Sequence, residues 1–225
     1  LLVAVLQTLP VFFVKPFGAR VLEGENVIVY YQGADEKGAQ EVFNTLENTA
    51  GEVRAKLGIA EEKPTEVYIY GRQGSLWIRK FGFITLLFAP EWYIGDNKGE
   101  KVLLVSPYAK VKGHDFNSIL DAATHELVHT YNYRVNPKLS YWIDNGVATF
   151  ISRQLPREGL TDEIPVPAFS DLKTENEKEF ANMGGYEYSY TYIEYLNNEF
   201  GWDKVLELVR GKKNCQQIFE KSEQE

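Results

Sequence analysis

With 225 residues, of which 44% are hydrophobic and 25% charged, the chain can bury a sizeable core and suits one domain or two closely packed lobes. A formal charge of -8 removes the electrostatic reason to approach a phosphate backbone, so no nucleic acid partner is expected. The single cysteine, Cys215, excludes an internal disulfide framework and, alone, a cysteine-based zinc cluster.

Residues 1–24 open with LLVAVLQTLPVFFVKPFG, apolar for about fourteen residues and so short of the roughly 18 that span a bilayer. Two readings stand: the remnant of a signal or anchor segment, or a first core element. The former implies an extracytoplasmic protein, secreted or membrane-anchored, with possible membrane association through this segment.

From residue 25 the pattern is that of a folded domain. ENVIVYYQ (25–32) has the β-branched and aromatic density of a strand, and Gly33 with Asp35 marks a turn. Ala39, Val42, Phe43, Leu46, Ala50, Val53 and Leu57 then recur at helical spacing up to Gly58, a natural stop. TEVYIYG (65–71) reads as a strand after Pro64. The stretch from Phe83 to Tyr108 reads as two strands joined by the turn-rich Asp96-Asn97-Lys98-Gly99. Residues 25–113 are therefore expected to form a small sheet lobe with one packed helix.

The second half, 114–225, reads as helical, giving an α+β chain. Asp115 or Asn117 can cap a helix through residue 125, and further helices are expected over 141–153, 171–182, 186–200 and 203–210. PREGLTDEIPVPAFSD, with three prolines, reads as a surface loop. Tyr186, Tyr188, Tyr190 and Tyr192 alternate as in a strand. Ser189, Tyr192, Ile193, Leu196 and Phe200 nevertheless share a helical face, and the length of the run favours helix.

The chemistry concentrates in DAATHELVHTYNYR (121–134). A four-residue helical offset rotates a side chain by roughly 40° and advances it about 6 Å, so His125 and His129 project from one face and can share one ion. Glu126, rotated by about 100°, can reach a metal-bound water without binding the metal. Two imidazoles that merely pack or face solvent are the plainer reading. His114, alone beside Gly113 at the helix entrance, reads as a surface residue.

HELVH followed by YWIDNGVATF (141–150) resembles the gluzincin zinc metallopeptidases, in particular the small bacterial peptidase MA-like proteins. There a His-Glu-x-x-His helix precedes a Trp-x-x-Glu-Gly-x-Ala helix whose glutamate is the third zinc ligand. Trp142, Gly146 and Ala148 match this pattern; Asn145 stands where the glutamate is expected. The resemblance implies a zincin-like fold and Zn2+ held by His125 and His129, with Glu126 as general base and a peptide or protein substrate. It further implies an oxyanion-stabilising tyrosine on the later helix, Tyr186 ahead of Tyr190, and pairing of the EKVLLVSPY strand with an extended substrate.

An asparagine amide is neutral, a weaker donor and one methylene shorter than glutamate. Asp144 restores the charge but points about 100° away on the same helix. Three arrangements follow: Asp144 is the ligand, Asn145 is a weak ligand, or water completes a two-histidine site. The fourth possibility is a module that binds a peptide or protein partner without turnover.

Overall fold

VIVYY, TEVYIY and KVLLV carry apolar side chains on both faces, the pattern of strands buried on two sides. In the computed structural model, which describes residues 2–60, 63–87 and 90–223, all three lie at the centre of a five-stranded sheet. The chain divides into two units, Leu1–Ala55 with Ala60–Thr130, and Lys56–Ile59 with Tyr131–Glu225.

The first unit runs α1 (Leu2–Phe12), β1 (Arg20–Glu23), β2 (Val27–Tyr31), α2 (Glu36–Leu57), β3 (Thr65–Tyr70), α3 (Gln73–Phe81), β4 (Gly95–Lys98), β5 (Lys101–Val105) and the start of α4 (Phe116–Val135). The sheet order is β1-β2-β3-β5-β4. β2, β3 and β5 are parallel, while β1 and β4 pair antiparallel at the two edges. On one face Tyr68, Tyr70 and Leu103 cluster with Val14, Leu76 of α3 and Tyr93. The alternate residues Val67, Ile69, Val102 and Leu104 are wholly buried, as are Ala39, Val42, Leu46 and Ala50 along α2. Glu47 fixes α2 to the start of β2: its carboxylate accepts the backbone N–H groups of Glu25, Asn26 and Val27 at 2.8–3.1 Å.

Several expectations are corrected here. The 25–113 lobe carries a second helix, α3, beside α2. Residues 83–87 form a 3-10 turn rather than a strand, and the turn-rich Gly95–Lys98 is itself the edge strand, reversed at Gly99 with φ +58. Apart from these corrections, Leu2–Phe12 form α1 and Arg20–Glu23 form β1, and no helix among the described residues is long and apolar enough to cross a membrane.

The second unit holds α5 (Tyr141–Ile151), α6 (Leu160–Glu163), α7 (Glu177–Asn182), α8 (Gly185–Phe200), α9 (Trp202–Arg210) and α10 (Cys215–Phe219). The expected helix over 171–182 is broken: a 3-10 turn, Asp171–Lys173, precedes α7, which Asn176 caps by accepting from the N–H groups of Lys178 and Glu179. The proline-rich loop contains the short α6. α5 lies close against α8, because a Cβ on Gly146 would sit 2.7 Å from the Ser189 carbonyl oxygen and 2.8 Å from Ile193 Cγ1. The chain is thus α+β, with the sheet in its first half and helices dominating the second.

Candidate functional site

The helix that carries HELVH begins with a reciprocal cap. Asp115 Oδ1 accepts from the Ser118 N–H at 2.8 Å, and Ser118 Oγ accepts from the Asp115 N–H at 2.9 Å. Asp115, not Asn117, therefore sets the helix start. His114 is half-buried there, its Nδ1 3.4 Å from Ser118 Oγ. Ile119, Ala123, Leu127 and Val128 are fully buried and hold the helix in place.

This burial fixes where the opposite side points. His125 and His129 are one turn apart, their rings nearly perpendicular with centroids 4.6 Å apart, and their Nε2 atoms meet at 2.9 Å. Both are buried, as is Glu126 between them. Two nitrogens bound tetrahedrally to zinc at about 2.1 Å lie roughly 3.4 Å apart, so opening the pair by about half an ångström fits one ion between the rings. Without an ion, the same contact is a hydrogen bond from one imidazole to the other.

Glu126 lies beside the edge strand. A Cβ on Gly95 would come within 3.1 Å of Glu126 Cγ and 3.3 Å of its Oε1, so the missing side chain at Gly95 is what gives the carboxylate its room. The Ile94 carbonyl accepts from Val105 of β5, so by alternation the backbone of Gly95 faces the outer side of β4. Its neighbours on that side are engaged. Gln73 Nε2 donates to the Tyr93 carbonyl at 2.8 Å, and Lys80 Nζ donates to that of Asn97 at 2.9 Å. The substrate-pairing strand expected at EKVLLVSPY is corrected by this topology: β5 is enclosed between β3 and β4, and the edge belongs to β4.

The other candidates lie in the second unit. Asp144 Oδ1 accepts from Asn132 Nδ2 at 2.8 Å. Asn145 is buried and donates from Nδ2 to the Tyr141 carbonyl at 2.8 Å, which commits its nitrogen and leaves Oδ1 as the atom able to donate a lone pair. The Tyr186 hydroxyl lies 3.3 Å from that of Tyr141, whereas Tyr190 donates to Glu194 at 3.2 Å. Burial, then the Glu194 carboxylate, push the Tyr190 phenol above its ordinary pKa. The two tyrosines, one turn apart on α8, thus have separate partners.

Among the described residues no group of three His, Cys, Asp or Glu side chains gathers around a metal-sized space. Sequence reading identified the histidine pair and its glutamate from their spacing. It missed Gly95, because a glycine in a turn-rich stretch carries no signal of what lies above it. Comparison with protein-family profiles, characterised proteins and solved structures finds no match for this chain.

Proposed function

We propose that the chain is a zinc-dependent peptidase in which His125 and His129 hold the ion and Glu126 is the general base. The carrying observation is the convergence of the two Nε2 atoms at 2.9 Å, with Glu126 next in sequence and buried beside an edge strand. Bound zinc would acidify a water and polarise a substrate carbonyl.

The protein's own groups supply the rest. Peptide hydrolysis takes one proton from water and delivers one to the departing amine as the C–N bond breaks, and a carboxylate can serve both transfers in turn. Glu126 would hold that proton at a carboxylate oxygen, in a place that Gly95 keeps open. The outer edge of β4 would receive an extended backbone over a short register only, because the carbonyls of Tyr93 and Asn97 already accept side-chain donors on either side of Gly95. The further ligand candidates rest on the resemblance alone: within the second unit Asp144 accepts from Asn132, and Asn145 donates to the Tyr141 carbonyl, leaving its amide oxygen as its donor atom. As a neutral donor it would hold zinc less tightly than a glutamate. Tyr186 remains the proposed oxyanion donor.

The replacement of a carboxylate ligand by Asn145 favours a second reading, a module that binds peptide without turnover. Both readings meet in one experiment on the zinc-loaded protein with a generic fluorogenic peptide. Glu126→Gln is expected to keep the metal and lose activity by about 100-fold or more. Activity unchanged in that variant would contradict the peptidase reading; peptide binding with no turnover by either protein would establish the second.

A further inference from the structure

Ten of the sixteen large hydrophobic side chains that stand exposed among the described residues fall in two short segments, 9–21 and 81–87. Phe12 is 77% exposed, Phe17 92% and Leu87 75%. The segments belong together in the first unit. Leu9, Phe13 and Phe17 line one groove of about 700 Å³ with Ile78 and Phe83, and Lys15 and Arg79 stand in its wall. Arg79 also ties the two segments by donating to the Phe13 carbonyl at 2.5 Å, while the Ile84 N–H donates to Gln7 Oε1 at 2.8 Å.

The charge of this face is opposite to that of the rest of the protein. Residues 1–22 and 67–90 contain Lys15, Arg20, Arg72, Arg79 and Lys80 and no carboxylate, in a chain that holds 24 basic and 32 acidic residues. Arg20 and Lys80 are paired with Glu36 and Asp96; Lys15, Arg72 and Arg79 make no salt bridge among the described residues. Aromatic and aliphatic side chains standing in solvent beside cations that form no direct salt bridge are what a protein lying on a membrane interface presents. The rings enter the acyl boundary while the cations meet lipid phosphates. A contact between soluble copies of so acidic a chain has no comparable need for apolar segments that carry basic residues and no carboxylate of their own.

We propose that the face formed by α1, residues 13–17 and the 83–87 turn docks the first unit onto an anionic lipid bilayer surface. The proposal does not rest on the histidine pair. It is tested by co-sedimenting the 225-residue protein with vesicles of neutral phosphatidylcholine and with vesicles containing about one third phosphatidylglycerol. Binding to the anionic vesicles is expected, weakened by half-molar salt. It should fall at least tenfold in the triple variant Phe12→Ser, Phe17→Ser, Leu87→Ser, whose exposed positions should leave the circular dichroism spectrum unchanged. Absence of binding to both vesicle types, or binding that the triple variant retains, would overturn the proposal. So would concentration-dependent dimerisation abolished by the same variant without vesicle binding, which would assign the face to a second copy.

Discussion

At Gly95 the absence of one methyl group decides where a carboxylate sits. A Cβ there would meet Leu104 Cδ1 at 3.0 Å and Glu126 Cγ at 3.1 Å, and both are movable side-chain atoms. Gly95→Ala should therefore fold, and bind added zinc as the parent does, while displacing the glutamate by a few tenths of an ångström. A misplacement of about 1 Å costs about a hundredfold in rate, so a shift of a few tenths is expected to cost roughly two- to tenfold. The expected result is a fall in kcat with little change in KM and unchanged zinc content; a fully active variant would show that Glu126 does not need this position. The histidine pair was legible because spacing encodes geometry: His125 and His129, four residues apart, come to lie one turn apart with their Nε2 atoms 2.9 Å apart. Gly95 comes beside Glu126 through sheet pairing, and the intervening chain carries no trace of that contact.

Among the elements, α5 packs tightly against α8. Gly146, which the family resemblance singled out, is explained by packing alone: backbone at Ser189 leaves no space for a Cβ. Gly146→Ala should cost about 1–3 kcal/mol, lowering the melting temperature by several degrees, and a neutral effect would contradict the packing described. Trp142 stacks edge-on against Phe169 and Tyr192 within the same unit, so its place in the motif also has a structural reason.

Which elements could be read in advance follows from the same physics. α2 carries its apolar residues at regular spacing over 22 residues and ends at Gly58 with φ +65, so local signals agree with the fold. β4 consists of Gly-Asp-Asn-Lys, poor strand formers, and becomes a strand only because β5 offers it a partner. α3 is nine residues long with Gly74 inside it, and its one fully buried residue, Leu76, gives too short a pattern for periodicity to register. The 171–182 segment breaks before α7, whose start is set by Asn176 accepting from the N–H groups of Lys178 and Glu179.

For the molecule as a whole, acid stability tests the sheet. Burial raises the Glu66 carboxyl, but hydrogen bonds from Lys101 and Tyr68 and the Lys101 charge outweigh it and hold its pKa below the ordinary 4.5. A folded-state value below the unfolded one contributes stability that is present above about 4.5 and lost as pH falls through the lowered value. Lys101→Met should therefore be less stable than the parent at neutral pH, and the gap should close in strong acid. A gap of constant size would place the effect in packing rather than charge. Both side chains are partly exposed, so screening by salt should narrow the difference as well.

The central claim is that two imidazoles on one helical turn, with Nε2 atoms 2.9 Å apart, form a zinc site. Its most direct test is the zinc content of the purified protein after zinc loading and dialysis, beside that of His129→Ala. One zinc per chain, absent from the variant, is the expected result. A parent protein that retains no zinc, or a variant that retains it fully, would contradict the account.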